Sequence, residues 1–593
     1  MRHRGPDDAG YYSDRNVSLG HRALKIGNAP IIHQPLANED GTVWITFDGE
    51  IYNKASIIQQ LEKNHTINTN SSAEVVVHSY EENGPNCVNS FNGMFAFCLW
   101  DSAKGMLFCA RDRFGMKPFY YYACPTLFVQ ASEIKALLKF PLVPKKPNNP
   151  IVYDYLMTAH NDHTEDTFFM GIKRLLPAHY MLIDPNGIRI RRYWNPVESL
   201  KTNRLAKEDQ TYASEFRELL RDSIRIRLPA NLPVGTFLSG GPDSTSIAYL
   251  VKDFRNLSSS SGEGDQELFS AIYQEQVDEG DERPYIEETA KTLQTKINYV
   301  FPSVVGRWKD INQFIYYVDE PLAVFNYYAF WCLSREASKK VSVVFYGHGT
   351  GILGEIDSVE EAMRYFRDLW KRKQIAGLLI ELIAAVPRVT IPAIKTLVAN
   401  WTRKSKLGIQ SLLDSHFVAL FNEEAQIEDV SSRSEYLHWI AGNLVDCLRG
   451  SDLVSSAFSL EPRFPFLDHR IVEFAVSLPP TQKVRKGRTK YILRNAMKGV
   501  IPDAVIKERR HFGTPIPLER WMRQLRPNIR KLFESNKFHE RGCFNQPAIL
   551  KAYDHFCEGK MDRYTTRWYA EVFWRILNLE LWFKAFFDSE CAI

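Results

Sequence analysis

No charge of one sign dominates this chain. Lys and Arg number 74 against 70 Asp and Glu, a formal excess of +4, too small to mark nucleic acid or an anionic membrane as a main partner. Long apolar runs are missing as well. The most apolar stretch, Ile375–Val386, is interrupted by Glu381 and followed by Pro387, far short of the roughly 20 residues that a membrane span needs. No CxxC pair occurs: nine cysteines are scattered between Cys87 and Cys591, which excludes a disulfide scaffold and reads as reduced thiols. The opening MRHRGPDDAG lacks the apolar core of a signal peptide. The closing Glu590-Cys591-Ala592-Ile593 puts its cysteine one place too late for prenylation. A cytoplasmic protein without membrane contact is expected.

What is present is ordinary globular material. At 593 residues, 45% hydrophobic and 24% charged, the chain is neither disordered nor collagenous. The first 190 residues read as strands: Val43–Phe47, ended by Asp48-Gly49, then Met94–Trp100, Met106–Ala110, Phe119–Ala123 and Leu127–Gln130. Helical stretches are few there, among them Ala73–Glu82 and Glu133–Lys139. An antiparallel meander folded into a sandwich of sheets buries so many short strands. After the polar segment Thr202–Gln210 the pattern changes. Tyr212–Ile226 has helical period, and the apolar runs Val234–Leu238, Leu268–Tyr273, Ile297–Phe301 and Val341–Tyr346 alternate with helices, which predicts a parallel sheet covered on both faces. Leu257–Asp265 reads as a solvated loop, and residues 430–590 as mostly helical. Two domains follow, over 1–195 and 210–590.

The strongest chemical signal is the strand Val234–Leu238 running into Ser239-Gly240-Gly241-Pro242-Asp243-Ser244, with a helix predicted from near Thr245. Glycines let a backbone approach an anion, and a helix N-terminus supplies free N–H groups and partial positive charge. Ser239 and Ser244 add hydroxyl donors, and Asp243 suits a magnesium ion bridging phosphates. The same residues also describe a plain strand-to-helix turn with a capping side chain.

With its neighbours the loop resembles the pyrophosphate loop of ATP pyrophosphatases, and the whole chain resembles the glutamine-hydrolysing asparagine synthetases. The likeness rests on Arg2-His3-Arg4-Gly5-Pro6-Asp7, Gly20-His21-Arg22, Gly49-Glu50-Ile51-Tyr52-Asn53, Phe91–Phe97 and Arg111–Pro118 in the first half. In the second half it rests on the loop itself, Asp281–Tyr285, Asp319-Glu320-Pro321, Glu461–Asp468 and Thr489–Arg494. The resemblance implies an α+β sandwich of the N-terminal-nucleophile glutamine amidotransferase type, then an α/β ATP pyrophosphatase domain. It implies ATP and Mg2+, with aspartate, ATP and glutamine or ammonia giving asparagine, AMP and pyrophosphate. It places adenine against the backbone of Phe237 and Ile272, phosphates on Ser239, Gly240, Gly241, Asp243 and Ser244 with Tyr346 and Gly347 beside them, the metal on Asp243, and charge neutralisation on Lys490.

Departures from the family pattern fall at both sites. The family's nucleophile is a cysteine directly after the initiator Met; here residue 2 is Arg2 and no cysteine precedes Cys87. The chain begins inside the RHRGPD block, so either the start is assigned late or the nucleophile is lost. In the glutamine pocket around Asp48, Gly49, Glu50 and Ser72, the arginine for the glutamine carboxylate falls on Ala23, the oxyanion-hole asparagine on Asp48, and the aspartate for the amine on Ser72. A carboxylate repels the charge an oxyanion hole must stabilise. Cys87, Cys98 and Cys109 read as packing residues of the meander. At the second magnesium motif the acids expected at 348, 351 and 352 are His348, Gly351 and Ile352; His348 is a poor ligand for a hard cation, though it could serve as a base.

The expectation is an ATP-dependent amide ligase with small-molecule substrates, a weakened glutaminase and a possible homodimer. A ligase repurposed to another acid, as in the related β-lactam synthetases and lasso-peptide cyclases, and a catalytically dead ATP-binding protein are the alternatives.

Overall fold

Phe95, Phe97 and Leu99 face one side of a strand, while Ala96, Cys98 and Trp100 face the other, and all six are buried. That alternation sets the first half of the computed structural model, because side chains along a strand point alternately to opposite faces. The structure describes residues 1–27, 30–159, 161–196, 207–258, 265–273, 281–354, 405–421, 444–508, 513 and 516–588. The apolar stretch Ile375–Val386 and most of Thr202–Gln210 and Leu257–Asp265 lie outside them.

Eleven strands occupy the described part of the first half: β1 (Asp8–Ser13), β2 (Ser18–Ala23), β3 (Leu36–Ala37), β4 (Val43–Ile51), β5 (Gly93–Asp101), β6 (Met106–Arg111), β7 (Tyr120–Cys124), β8 (Leu127–Ala131), β9 (Ile172–Arg174), β10 (His179–Asp184) and β11 (Gly187–Arg192). They form an antiparallel six-stranded sheet in the order β11-β10-β6-β5-β4-β3, a three-stranded sheet β8-β7-β9, and the β1–β2 hairpin. Phe95, Phe97, Leu99 and Phe108 pack under the helices Lys54–Leu61 and Ser72–Asn83, against Ile57, Val75, Val76 and Tyr80. Ala96, Cys98, Trp100 and Cys109 pack the opposite way, onto Phe119, Tyr121 and Leu19. The expected sheet sandwich therefore carries a helical layer on its other face. Cys98 and Cys109 stand opposite each other across β5 and β6, their Sγ atoms 3.3 Å apart, while Cys87 lies in the 3-10 turn Gly84–Ser90 rather than in the meander. None of the eight described cysteines is in a disulfide.

The second half is built on the parallel sheet β14-β13-β12-β15-β16, with β12 (Val234–Phe237), β13 (Gln266–Ala271), β14 (Ile297–Val300), β15 (Val343–Phe345) and β16 (Glu461–Arg463). From β12 the chain passes through the helix Pro242–Ser258 to β13, then through Arg283–Leu293 to β14. It then returns across the sheet, through Asn326–Ala337, to place β15 on the other flank of β12. This reversal makes the gap between β12 and β15 the switch point, where connections leave the carboxyl ends of the strands in opposite directions and open a crevice. Among the described residues no helix is long and apolar enough to cross a membrane.

Buried ion pairs join the halves. Asp319 accepts the Ile134 N–H at 2.8 Å and pairs with Lys135 at 2.9 Å. Glu320 is gripped by both Nη2 contacts of Arg174, at 3.0 and 3.1 Å, and accepts the Phe168 N–H at 2.9 Å. Farther along, Asp468 accepts from Asn92 Nδ2, Arg227 Nη1 and Arg470 Nη2 at 3.0, 3.0 and 2.8 Å, and caps the helix His469–Ser477. Burial alone would raise the Asp468 carboxyl, but Arg227 and Arg470 outweigh it and hold the group far below the ordinary carboxylate range.

A carboxylate with a lowered folded-state pKa contributes stability that is complete above the unfolded value, near pH 4, and is lost as pH falls below it. Removing one partner of such a buried pair leaves a charge uncompensated. Asp468→Asn is therefore expected to cost about 3–5 kcal/mol at pH 7. Thermal denaturation against pH checks it: the difference from wild type should shrink as pH drops below about 4.

Candidate active site

The crevice between β12 and β15 is lined by the two loops that leave those strands. After Phe237 the chain turns through Gly240, whose φ of +78° is left-handed and whose missing Cβ would press on Tyr285 Cβ at 3.0 Å. The helix then begins at Pro242, three residues before the sequence predicted. Proline suits that first turn because its φ is already helical and its absent N–H would have had no partner within the helix. The serines hold the bare loop: Ser239 N donates to Ser244 Oγ at 3.1 Å, the two hydroxyls lie 3.2 Å apart, and Gly241 N reaches Ser239 Oγ at 3.4 Å.

Asp243 sits at the start of this helix. Its Oδ2 accepts from Lys490 Nζ at 2.5 Å and from Thr350 Oγ1 at 3.0 Å. Its Oδ1 is buried with no hydrogen-bond partner among the described residues, as is the hydroxyl of Thr245. A buried carboxylate oxygen without a donor is an unmet demand for a cation or a proton. Lys490 reaches it from a left-handed backbone (φ +53°), pinned by its own N–H on the Gly354 carbonyl at 3.1 Å. Such a conformation strains a lysine and persists only where its surroundings enforce it.

The loop after β15 closes the other side. Tyr346 is fully buried, its hydroxyl 2.8 Å from Ser455 Oγ and its ring 4.8 Å from that of Phe237. Its side chain therefore belongs to the core, leaving main chain at the crevice. Gly347 runs so close to the helix start that a Cβ would lie 3.3 Å from both Asp243 Cβ and Ser244 N. Ile272 follows β13 and donates its N–H to the Val300 carbonyl at 2.8 Å. Phe237, Ser239–Ser244, Ile272, Tyr346 and Gly347 thus gather at the carboxyl ends of β12, β13 and β15, with Lys490 facing them.

The degenerate acidic motif does not reassemble as a ligand set. His348 turns its Nδ1 to Ser451 Oγ at 3.1 Å and packs among Phe330, Tyr346 and Phe464, stacking on the last at 11°. Ile352 is buried in the apolar core. Thr350 is the residue of this segment that reaches Asp243.

In the first half, Asp48, Gly49, Glu50 and Ser72 cluster where β4 meets the helix Ser72–Asn83. Ser72 Oγ accepts the Ile51 N–H at 3.0 Å, and Glu50 pairs with Lys54 at 2.6 Å. Gly49 has φ +131°, and a Cβ there would collide with the Met94 carbonyl at 2.0 Å. Ala23 closes β2 opposite Asp8. Asp48 pairs with Lys117 at 2.9 Å and Arg4 at 3.2 Å. Burial works against its charge, yet these two cations hold its carboxyl far below the usual range.

Arg4 also reaches Asp452 at 2.7 Å, on the helix Val445–Ser456 of the other half. That helix carries Ser451, the partner of His348, and Ser455, the partner of Tyr346. One helix therefore touches both sites. Sequence reasoning missed this connection: Arg4 and Lys117 lie inside recognisable blocks, but Asp452 has no local signal to separate it from a solvated helix acid. Arg4→Ala and Asp48→Ala are each expected to lower the melting temperature, and the double variant to fall short of their sum. A thermal double-mutant cycle should give a coupling of about 1–3 kcal/mol.

The chain matches two families, the glutamine amidotransferase domain over residues 1–194 and asparagine synthase over residues 215–584. Asparagine synthetase (glutamine-hydrolyzing) 1 of Bacillus subtilis (strain 168) is 27% identical over 619 residues, 98% of this chain and 92% of the relative. Asparagine synthetase (glutamine-hydrolyzing) 3 of the same organism is 28% identical over 527 residues, 86% and 81% of the two chains. Amidase chyE of Penicillium rubens is 27% identical over 586 residues, 88% and 85%. With an antiparallel amidotransferase-type domain leading into a parallel-sheet domain, and its second half matched almost end to end, the chain belongs to the asparagine synthase family.

Proposed function

We propose that the protein is an ATP-dependent amide ligase that adenylates an acidic amino acid, L-aspartate in the first instance, and takes its nitrogen from ammonia rather than from glutamine. The observation that carries this reading is the triad of Lys490, Asp243 and Thr350 at the phosphate loop, with Asp243 Oδ1 left unpartnered. In this scheme a substrate carboxylate oxygen attacks the α-phosphorus of ATP and pyrophosphate leaves. Ammonia then attacks the acyl carbon, AMP departs, and one proton is lost as the amide forms.

The residues present fit a magnesium ion, which commonly uses one or two carboxylates together with phosphates and water. Asp243 would hold it through Oδ1, and the ion when bound would supply charge neutralisation for the polyphosphate. Gly240 and Gly241 let the backbone approach the phosphates, and the start of the helix adds the favourable end of its dipole. Lys490, released from Asp243, offsets the negative charge that grows on the α-phosphate. Phe237 and Ile272 present main chain for the adenine. Proposed domain limits are 1–195 and 210–590.

The case against glutamine rests on Asp48, Ala23 and Ser72. Asp48 is an ionised acceptor bound to two cations, so it donates nothing to an oxyanion. Ser72 has its hydroxyl on a backbone N–H, and no arginine stands at position 23 to take the glutamine carboxylate. A second reading, a ligase for a different acid, is favoured by the aromatic enclosure of His348 where the family has an acid, and by the similarity to a protein named an amidase.

Pyrophosphate release with ATP, Mg2+ and ammonium, measured across a panel of amino and other carboxylic acids, tests the proposal. Aspartate should be the best acid, and glutamine should replace ammonium at less than a tenth of its rate. Lys490→Ala and Asp243→Asn should each reduce release at least 100-fold, the scale expected for losing one charge-stabilising group. Release with another acid would select the second reading, and absence of ATP turnover with every acid would contradict both.

A further inference from the structure

The outer face of the amidotransferase domain carries a cluster that neither site uses. His78 lies in the helix Ser72–Asn83 with Glu81 one turn on, His65 in the turn after the helix Lys54–Leu61, and Glu39 in the turn between β3 and β4. The two imidazole rings stand 4.6 Å apart, centroid to centroid, and one ligand atom each from Glu39, His65 and His78 lies within 4.8 Å of the others.

Each ring already has one nitrogen on a carboxylate. His78 Nδ1 is 2.7 Å from Glu81 Oε2, and the other oxygen of Glu81 is held by Asn38 Nδ2 at 2.7 Å. His65 Nε2 is 2.9 Å from Glu82 Oε1, which Asn64 also holds at 3.0 Å. The remaining nitrogens turn inward: His78 Nε2 stands 3.9 Å from Glu39 Oε1, and His65 Nδ1 stands 3.6 Å from Glu81 Oε2. This is the arrangement by which outer carboxylates fix the tautomer and orientation of metal-binding imidazoles.

The spacing suits a small cation. A tetrahedral zinc ion 2.0–2.1 Å from its ligands holds them about 3.4 Å apart, so the 3.9 Å gap from His78 to Glu39 would close by about half an ångström and the widest pair, within 4.8 Å, by at most about 1.4 Å. Two imidazoles and a carboxylate select zinc or a similar transition metal, since magnesium and calcium prefer all-oxygen sets. We propose that His65, His78 and Glu39 form a zinc-class site, with Glu81 and Glu82 orienting the two histidines. Its three ligands come from three separate segments, so the ion clamps the helical layer to the edge of the six-stranded sheet.

The test uses the full chain stripped with a chelator and returned to metal-free buffer. Zinc titrated against a chromophoric chelator should bind at one equivalent and raise the melting temperature, and cobalt should give the intense visible absorption of a tetrahedral site. Glu39→Gln, at a half-exposed side chain, should keep the metal-free melting temperature while weakening zinc at least tenfold, and His65→Gln should weaken zinc at least as much. No stoichiometric binding, or binding that both variants leave unchanged, would overturn the assignment.

Discussion

Two adjacent buried carboxylates, Asp319 and Glu320, hold the joint on which the rest of the molecule depends. Charges taken out of water are stable only when paired and hydrogen-bonded on every side. Glu320 meets that condition through Arg174 and the Phe168 N–H, and Asp319 through Lys135 and the Ile134 N–H. Asp319 does so at some cost. Its φ is +60°, and its carboxyl is pushed up to about 6 because burial, helped by nearby Glu133, outweighs Lys135. The strain and the lifted pKa both mark a residue kept in place by its neighbours rather than by its own preferences.

From this joint the order extends to both sites. Arg449 lies between Asp162, at 2.8 Å, and the Pro321 carbonyl, within the same buried group. It anchors the helix Val445–Ser456, whose next residues reach Arg4 on one side and His348 and Tyr346 on the other. Asp48, paired with Arg4 and Lys117, is thereby part of a structural brace. The amidotransferase half supports the geometry of the asparagine-synthase half through charge pairs.

Much of this architecture was legible in the sequence because it depends on local pattern. The alternation along β5 and the apolar runs of β12 to β15 are written in consecutive residues, and the strand with its glycine-rich loop, Val234–Ser244, spans eleven positions. β16 escaped because Glu461-Pro462-Arg463 is short and polar, and its strand character comes only from pairing with β15. The helix after β12 starts at Pro242 rather than near Thr245 because proline fits a first helical turn. The ionic joint was legible only in part. Asp319-Glu320-Pro321 stands out as a block of the family likeness, but nothing in the sequence marks Lys135 and Arg174, more than 100 residues away, as its partners. His348 shows the same limit, since its aromatic surroundings come from three separated segments.

The most direct test of this account is hydrogen–deuterium exchange on Arg449→Met, compared with wild type. The substitution keeps much of the side chain's bulk but removes the charge that ties the helix Val445–Ser456 to the joint. Faster exchange is predicted in that helix and in the segment Tyr346–Thr350, with the helix Lys54–Leu61 unchanged. Unaltered exchange at Tyr346–Thr350 would contradict the claim that the buried joint positions the candidate active site.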